Sequence, residues 1–353
     1  MKKTAFLFLT VILLLFVCLV SCDNCNDTPE QGHKHILDDA GICTVCGQPI
    51  SDTEGIIYEL SDDGSYAMVV GYNGTATKIK IAESYQGVPV KEIYRDSFKH
   101  NDIITSVVIP DSVTTIGYYA LSNCDSLTSI VFGDSVTTIV HYAFADCDSL
   151  TSVIIPESVT TIGMAAFYAC DNLSSVVFGD NVTTIGAGAF KDCNLTFTEY
   201  DNCKYLGNGD NPYYVLIEAT DKNLSYYSIH SDTVIIAGNA FGRCGNLKSI
   251  EIPDNVVVIS DSAFEYCRSL TSVIIGRSVT TIDDDAFLSC TDLASVVIPD
   301  SVTTIGISAF MHCYGLKNVY YTGSKEAWDK ISIGAHNSNL TAKVSQYHYV
   351  SEK

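Results

Sequence analysis

The hydrophobic and polar positions of this chain repeat with a period of 23 residues over most of its length. The segment "LTSVIIPESVTTIGMAAFYACDN", residues 150–172, is preceded by "LTSIVFGDSVTTIVHYAFADCDS" and followed by "LSSVVFGDNVTTIGAGAFKDCN". The first apolar position of the unit keeps this spacing on both sides of a break: Ile104, Leu127, Leu150, Leu173, Leu247, Leu270, Leu293 and Leu316. A fixed period of this length indicates a solenoid, because each unit must stack on a neighbour to bury its apolar face.

Each unit is predicted to contain a short strand and a turn region. The stretch "LTSVII" alternates inward and outward positions over β-branched residues, which is typical of a strand. Proline or glycine comes next, as at Pro156 and Gly179, so strand pairing is expected to end there. A second apolar pair, such as Val159 and Ile162, then precedes an Ala–Phe step and a cysteine. The Ala–Phe step favours a tight turn or a short helical piece, where a larger residue than alanine would collide.

The repeat register divides the chain into segments. We predict a signal peptide over 1–21, a tether over 22–56, an N-terminal cap with a first irregular repeat over 57–103, regular repeats over 104–193, modified repeats with an insertion over 194–235, regular repeats over 236–315 and a C-terminal cap over 316–353. Phe190 and Phe241 are 51 residues apart, two periods plus five, so we expect the solenoid to continue between them with a loop insertion around Gly207 to Pro212. Trp328 is predicted to lie on a short helix that covers the last edge of the stack.

The N-terminal segment has the pattern of an export signal. Lys2 and Lys3 precede an apolar run of about seventeen residues, and small residues follow before Cys22. The four residues that end at Cys22 resemble a bacterial lipobox, which implies acylation of Cys22 and anchorage to a membrane without a spanning helix. An ordinary signal peptide is the alternative. We expect an exported, membrane-anchored lipoprotein at the outer membrane or cell surface.

The composition is acidic, with 20 Lys and Arg against 41 Asp and Glu and a formal net charge of −21. Removal of Lys2 and Lys3 with the signal leaves 18 basic residues and a charge of −23. Such a surface repels phosphate backbones, so nucleic acid is not expected as a partner.

The tether carries a small group of cysteines and histidines. Cys43 and Cys46 form a C-x-x-C-G sequence, and His33 and His35 precede it at a spacing that lets one tetrahedral zinc ion bind all four. Cys25 is an alternative ligand. A local disulfide or a redox pair competes with this interpretation. Zinc here would be structural, because four protein ligands close the site, and the solenoid itself is predicted to need no cofactor.

The motif "LxSVxIPxSVTxIGxxAFxxC" resembles the repeat of the BspA-like leucine-rich repeat family of bacterial surface proteins, over about residues 57–320. The resemblance implies a right-handed, curved stack with parallel β-strands on its concave face and short strands, turns and helical pieces on the other. It also implies a cell-envelope location and protein-binding or adhesive roles. It names no ligand, because repeat scaffolds are shared by unrelated functions.

One column of the predicted strand is expected to face solvent. In "LTSIVF", Leu127, Ile130 and Phe132 point inward, so Val131 points outward. The candidate binding residues are the members of this column: Val108, Val131, Ile154, Val177, Glu251, Ile274 and Val297. Contiguous exposed aliphatic residues commonly mark an interaction site. The competing interpretations are that aliphatic residues simply favour a parallel sheet, or that neighbouring units shield them. A row of hydroxyls is predicted beside the column, at Thr105, Thr128, Thr151, Ser174 and Thr271.

A cysteine recurs once per unit, at Cys124, Cys147, Cys170, Cys193, Cys244, Cys267, Cys290 and Cys313. An even number in an exported protein suggests disulfides. Parallel Cβ vectors, however, stack the sulfur atoms instead of pointing them at each other. We therefore predict buried free thiols, which behave as small apolar groups.

Signals of catalysis are weak in this sequence. Asp283, Asp284 and Asp285 are interpreted as a solvated acidic run, and His141 and His312 fall at different places in their units. No glycine-rich phosphate loop or nucleophile elbow is present. We predict that the protein is not an enzyme.

The patterns together predict a binding or adhesion protein whose strand face contacts protein or glycoprotein ligands of host matrix or other cells. Many weak contacts along one face would gain avidity from display at a membrane surface. The alternative is a structural or self-associating envelope protein without a host ligand.

Overall fold

The computed structural model describes residues 52–209 and 211–347, together with two short strands nearer the N-terminus. The chain divides into two compact units, Met1–Asp52 and Thr53–Lys353. In the first unit, β1 (Leu19–Val20) pairs antiparallel with β2 (His35–Ile36). The second unit is a parallel β-solenoid of about 11 turns with little helix, which confirms the predicted fold class.

The solenoid opens with strands that are partly antiparallel. These are β3 (Ile56–Leu60), β4 (Ala67–Tyr72), β5 (Lys78–Lys80), β6 (Ser84–Tyr85) and β7 (Val88–Ile93). β3 pairs antiparallel with β4, and β4 pairs in parallel with β7. An antiparallel hairpin therefore covers the first edge of the parallel ladder.

Each regular unit contributes a longer strand and a two-residue strand. In the N-terminal repeats these are β8 (Ser106–Val108), β9 (Thr115–Ile116), β10 (Ser129–Val131), β11 (Thr138–Ile139), β12 (Ser152–Ile154), β13 (Thr161–Ile162), β14 (Ser175–Val177) and β15 (Thr184–Ile185). The longer strands pair in parallel with equivalents 23 residues away, as Ser152 with Ser175, and form the strand face. The two-residue strands form a second parallel ladder in the same register, as Thr138 with Thr161.

The chain turns after each of these strands. After the longer strand, the Val159 N–H donates to the Pro156 carbonyl at 3.1 Å and closes a four-residue turn. After the shorter strand, the Ala–Phe turn contains two residues in the left-handed region, such as Tyr142 at φ 59° and Asp146 at φ 56°. Gly163 begins the same turn in the next unit without a positive φ. This agrees with the presence of valine at its place in the preceding unit.

Successive Ala–Phe turns are joined by a row of main-chain hydrogen bonds, which we call the turn ladder. Alternate N–H groups of one turn donate to alternate carbonyls of the next, from Tyr142 to Met164 at 3.0 Å, from Phe144 to Ala166 at 2.8 Å and from Asp146 to Tyr168 at 2.8 Å. The phenylalanine rings stack along the same direction, with centroids of Phe144 and Phe167 5.2 Å apart. Alanine precedes phenylalanine because its side chain is wholly buried against the neighbouring turns, as at Ala166.

The segment between the two sets of regular repeats, where we predict modified repeats with an insertion, contains a three-stranded antiparallel sheet, which we call the hairpin. Its antiparallel strands are β16 (Thr198–Tyr200), β17 (Cys203–Asn208) and β18 (Asn211–Ala219). The turn between β17 and β18 lies inside the range predicted for the insertion. The hairpin rejoins the second ladder where β18 pairs in parallel with β19 (Ile235–Ile236).

The C-terminal repeats restore the 23-residue register. Their strands are β20 (Ser249–Glu251), β21 (Val258–Ile259), β22 (Ser272–Ile274), β23 (Thr281–Ile282), β24 (Ser295–Ile298), β25 (Thr304–Ile305) and β26 (Asn318–Tyr321). The apolar core forms two clusters that meet at β18, where Val215 belongs to the first and Leu216 to the second.

The C-terminal cap consists of α1 (Lys325–Trp328), β27 (Ser332–Ile333), α2 (Ser338–Thr341) and β28 (Val344–Tyr347). Trp328 lies on a short helix, as predicted, and its buried ring packs edge-on against Tyr321 at 5.2 Å. Asn337 takes the place of the repeat alanine. Its Oδ1 accepts the Phe310 N–H at 2.9 Å, so a side chain replaces the carbonyl that the next turn would have supplied.

Candidate binding face

The structure places the seven predicted binding residues in one column of the strand face. Val108 is in register with Val131, and Ile154 with Val177. Beyond the hairpin, Glu251, Ile274 and Val297 are in register with one another. Neighbouring strands of such a ladder are about 4.8 Å apart, so the column presents closely spaced side chains.

Alternation along each strand turns this column outward. Val153 and Ile155 are 4% and 1% exposed, whereas Ile154 between them is 69% exposed. Val177 and Ile274 are 50% and 49% exposed. Val108, Val131 and Val297 are half-buried, and Glu251 is exposed. Large aliphatic side chains therefore face solvent at three positions of the column, and shielding by neighbours is partial elsewhere.

The column extends beyond the predicted residues at both ends. Lys80 precedes Val108 in the register, and Tyr320 follows Val297. Tyr320 is 23 residues after Val297, so the period alone could have found it. Lys80 lies in the irregular first unit, where the spacing to Val108 is 28 residues instead of 23, so the longer connection to β8 hides the equivalence.

Polar positions interrupt the column at the hairpin. Counting back one period from Glu251 gives Ser228, whose N–H donates to the Asp201 carboxylate. Tyr226 beside it is 65% exposed. The aliphatic surface is thus divided into a segment over Val108 to Val177 and a segment at Ile274 and Val297, with polar and aromatic groups between them.

The hydroxyl row beside the column is present, but four of its five hydroxyls, those of Thr105, Thr128, Ser174 and Thr271, already donate hydrogen bonds within the stack. The Thr128 hydroxyl donates to the Thr105 carbonyl at 3.0 Å, and the Thr271 hydroxyl donates to the Lys248 carbonyl at 2.9 Å. Each bond joins one unit to the preceding one. These threonines therefore stabilise the ladder, and only their remaining acceptor capacity faces a ligand.

The cysteine column consists of free thiols, as predicted. Seven of its eight members donate to the carbonyl of the Phe-position residue 26 residues earlier, as Cys267 to Phe241 at 3.1 Å. Burial raises the pKa of the Cys124 and Cys313 thiols to about 12. Such thiols are inert packing groups and are not a reactive site.

The predicted zinc ligands His33, Cys43 and Cys46 and the predicted lipidation site Cys22 lie outside the described residues. The fourth ligand, His35, is in β2, and the backbone alone is described there. Across 52–209 and 211–347, no group of three or more His, Cys, Asp or Glu side chains is arranged to hold a metal ion.

The acidic run at Asp283 is partly folded into the turn surface. Asp283 accepts the Asp284 N–H at 2.9 Å, and Asp284 accepts the Ile307 N–H of the next turn at 2.5 Å. Burial raises the pKa of Asp283 and of Asp285. These carboxylates act as local hydrogen-bond acceptors that join two turns.

Within the described part of the chain, no helix has the length and apolar character needed to cross a bilayer.

Comparison with known proteins gives one family match. A family model described as "BspA type Leucine rich repeat region" matches in 6 copies over residues 91–209 and 219–337. No curated protein matches the chain.

Several solved structures are similar to the chain. A leucine-rich repeat protein from Bacteroides ovatus ATCC 8483 is 24% identical over 84% of this chain and 78% of that one, with a TM-score of 0.39. A leucine-rich cell surface protein from Faecalibacterium prausnitzii A2-165 is 27% identical over 80% and 97%, with a TM-score of 0.34. A T. pallidum leucine-rich repeat protein is 21% identical over 75% and 91%, with a TM-score of 0.34.

Proposed function

The chain belongs to the BspA-type leucine-rich repeat family, and from this membership we propose that it is a cell-surface binding protein whose strand face engages protein or glycoprotein ligands. A leucine-rich repeat solenoid is typically a binding scaffold and not an enzyme. The ligands would be host matrix molecules or the surfaces of other cells, and acylation of Cys22 would hold the protein at a membrane.

The observation that carries the proposal is the exposed aliphatic column of the strand face. Ile154, Val177 and Ile274 are 69%, 50% and 49% exposed to water. Burying apolar surface contributes about 25 cal/mol per Å², so a ligand that covers these side chains and removes them from water binds more favourably. The parallel ladder holds their spacing fixed, which lowers the entropy lost on binding.

The mechanism is a sum of modest contacts along one rigid face. Each outward side chain contributes a small apolar contact, while Lys80, Glu251 and Tyr320 add charge and an aromatic ring to the same column. Display of many copies at a membrane would turn a weak single contact into stable attachment.

The test is an Ile154→Asp/Ile274→Asp double variant in a surface-binding assay against extracellular-matrix proteins and mucins. Ile307→Asp is the matched control, because Ile307 is also 50% exposed but lies on the Ala–Phe turn, away from the strand face. All proteins must first show the same far-ultraviolet circular dichroism. We expect the parent and Ile307→Asp to bind equally and the double variant to lose at least about tenfold in affinity, or about 1.4 kcal/mol.

Two results would count against the proposal. Equal binding by the double variant would show that the ligand contacts another surface. Absence of binding by the parent, together with self-association that the double variant abolishes, would favour a structural envelope protein whose strand face packs against another copy.

A further inference from the structure

The turn ladder is broken where the chain leaves the stack. In the preceding unit the N–H groups of Ala165, Phe167 and Ala169 donate to the carbonyls of the next turn at 3.0, 2.8 and 2.9 Å. One period later, the equivalent donors are the N–H groups of Gly188, Phe190 and Asp192. Within residues 52–209 and 211–347, no acceptor is hydrogen-bonded to any of these three N–H groups. Phe190 is buried, Gly188 half-buried and Asp192 exposed, so the row runs from the interior to the surface, and an unpaired main-chain donor at a buried residue needs a physical explanation.

The hairpin produces this break. After Cys193 the chain runs into β16 to β18 and does not form another turn on the stack. The next Ala–Phe turn begins at Ala237, whose N–H donates to the Leu216 carbonyl of β18 at 2.9 Å, and the Gly238 N–H that follows donates to the Ile185 carbonyl at 2.8 Å. The two turns therefore touch where they begin. Past that contact, the alternate N–H groups of the first turn do not pair with the second turn.

A cavity of about 370 Å³ lies between these two turns and the hairpin. Gly188, Phe190 and Asp192 line one side of it, while Phe197 and Ile217 of the hairpin line another. A second cavity, of about 470 Å³, shares Lys222 and Asn239 with the first. We call this pair of cavities the turn slot.

The turn slot differs in charge from the rest of the chain. Lys191, Lys204 and Lys222 line the first cavity against Asp192 and Glu218, and Arg243 lines the second against Asp261 and Glu265. Basic and acidic side chains are thus equal in number here, although acidic residues outnumber basic ones 41 to 20 in the whole sequence. Lys204 is paired with Glu218 at 2.9 Å, and Lys222 donates to the Ala240 carbonyl at 3.0 Å. Lys191 is exposed at the rim, and the described residues give its ammonium group no acceptor. A negatively charged ligand would therefore be repelled less here than at most other surfaces of the protein, and the Lys191 ammonium group would attract it.

We propose that the turn slot binds an acidic peptide in the conformation of a repeat turn, whose main-chain carbonyls accept hydrogen bonds from Gly188, Phe190 and Asp192. The donors are two residues apart on a turn in which Gly188 and Asp192 adopt φ of 64° and 60°, so the acceptor chain must follow a turn and not a strand. One small anion cannot reach all three. A peptide segment presents carbonyls at the same interval, as the next turn does in every regular unit, and addition of a segment to an unpaired main-chain edge is an established mode of recognition. This site is separate from the strand face and does not depend on the function proposed for it.

The chain itself supplies a probe with the required chemistry. In the C-terminal repeats, the carbonyls of Asp284, Ala286 and Leu288 accept the equivalent N–H groups of the preceding turn at 2.9, 2.7 and 2.8 Å. A synthetic peptide of residues 283–289, "DDDAFLS", acetylated and amidated at its ends, therefore carries both the alternating carbonyls and three carboxylates. The control peptide replaces its three aspartates with lysine.

The measurement is amide hydrogen exchange of the full-length chain, resolved by residue in NMR spectra, with and without millimolar peptide. The N–H groups of Phe144 and Asp146 serve as internal controls, because they occupy the same ladder positions and are paired. We expect the N–H groups of Gly188, Phe190 and Asp192 to exchange faster than these controls in the free protein. The acidic peptide should slow them by about tenfold or more, and the lysine peptide should not. Lys191→Glu should weaken the protection without altering exchange at Phe144.

Three results would overturn the proposal. Exchange at Phe190 as slow as at Phe144 in the free protein would show that the edge is already paired. Exchange unchanged by millimolar acidic peptide would show that the slot does not accept a chain. Equal protection by acetate at the same carboxylate concentration would indicate a small-anion site and not a peptide site.

Discussion

The stacked phenylalanine column makes a contribution to stability that can be estimated from its geometry. Phe264 is fully buried, and its ring lies between those of Phe241 and Phe287 at centroid distances of 5.0 Å on each side, with interplanar angles of 5° and 3°. Phe264→Ala would remove one ring and leave both neighbours facing a cavity. Buried Phe→Ala changes cost about 3 to 5 kcal/mol, and two lost ring pairs at about 0.5 to 1.5 kcal/mol each favour the upper end of that range. We expect a loss of about 4 to 5 kcal/mol in the free energy of unfolding.

The chain contains its own control for this change. Leu121 occupies the phenylalanine position of an earlier unit and is also fully buried, so leucine is compatible with the turn. Phe264→Leu keeps the site filled and forfeits mainly the ring pairs. We expect it to cost about 1 to 2 kcal/mol.

The assay is urea unfolding followed by circular dichroism and by tryptophan fluorescence. Trp328 is the single tryptophan and is buried in the C-terminal cap, so its fluorescence reports on that end of the stack. Native domains have about 5 to 15 kcal/mol of stability in total, so Phe264→Ala should shift both transitions to much lower urea. A loss below about 2 kcal/mol, or an equal loss for the alanine and leucine variants, would refute the assignment of stability to the stacked column.

Three further predictions follow from single residues. Burial and the Asp283 charge raise the pKa of Asp261 to about 6, so the folded state binds this proton more tightly than the unfolded state, and stability falls as pH rises from about 4 to about 6. Asp261→Asn should flatten this pH dependence and raise the free energy of unfolding at pH 7 by up to about 3 kcal/mol. A pH profile of stability that the substitution leaves unchanged would contradict the prediction. Cys267→Ala should lower the free energy of unfolding by about 1 to 2 kcal/mol in urea, because a buried thiol that donates to the Phe241 carbonyl is lost. No measurable loss would show that this thiol hydrogen bond does not contribute to stability. Asn337→Ala should lower the free energy of unfolding by about 2 to 3 kcal/mol, because the asparagine accepts from one main-chain group and donates to two others at the end of the stack. The loss should shift the transition seen by Trp328 fluorescence to lower urea before the transition seen by circular dichroism. A circular dichroism transition at lower urea than the fluorescence transition would contradict this order.

Much of the fold could be predicted because the period fixes the register. Each ladder pair within the regular repeats joins residues 23 apart, as Ser272 joins Ser295, and identical columns leave no other register that buries the same side chains. The hairpin could not be predicted in this way. It lies where the period fails, and Val215 and Leu216 of β18 pair with β19 although their spacing from Ile235 and Ile236 is 20 residues.

The two left-handed residues of each Ala–Phe turn left only a partial signal in the sequence, because Asn, Asp or Gly occupies some of these positions, as at Asn123 and Asp146, but not others. Tyr142 and Ala165 adopt φ of 59° and 53°, although such residues rarely occupy this region. Glycine would mark the position if local preference decided it. Here the turn ladder and the buried alanine and phenylalanine on either side determine the conformation, so tertiary packing overrides the residue's own tendency.

The candidate binding face could also be predicted in part from the sequence. Strand alternation placed Ile154 and Ile274 on the outside, and their exposure agrees. Sequence could not tell that the threonine hydroxyls beside them are bonded to carbonyls of the preceding unit, since that depends on the distance between units. The sequence also could not indicate the turn slot, because almost every residue type has the same main-chain N–H group.

The other ends of the hydrogen-bonded ladders are capped, and the turn slot is the exception. A solenoid pairs its main chain between units, so every place where stacking stops leaves unpaired groups. At the first end, β3 and β4 form an antiparallel hairpin that continues the second ladder. At the last end, Asn337 accepts the Phe310 N–H in place of a carbonyl. The internal edge at Gly188, Phe190 and Asp192 has no such device among the described residues, and it borders a cavity with three lysines. A chain that caps two edges with specific side chains and strands, and leaves a third open beside a cavity, has the arrangement expected if a partner completes that edge.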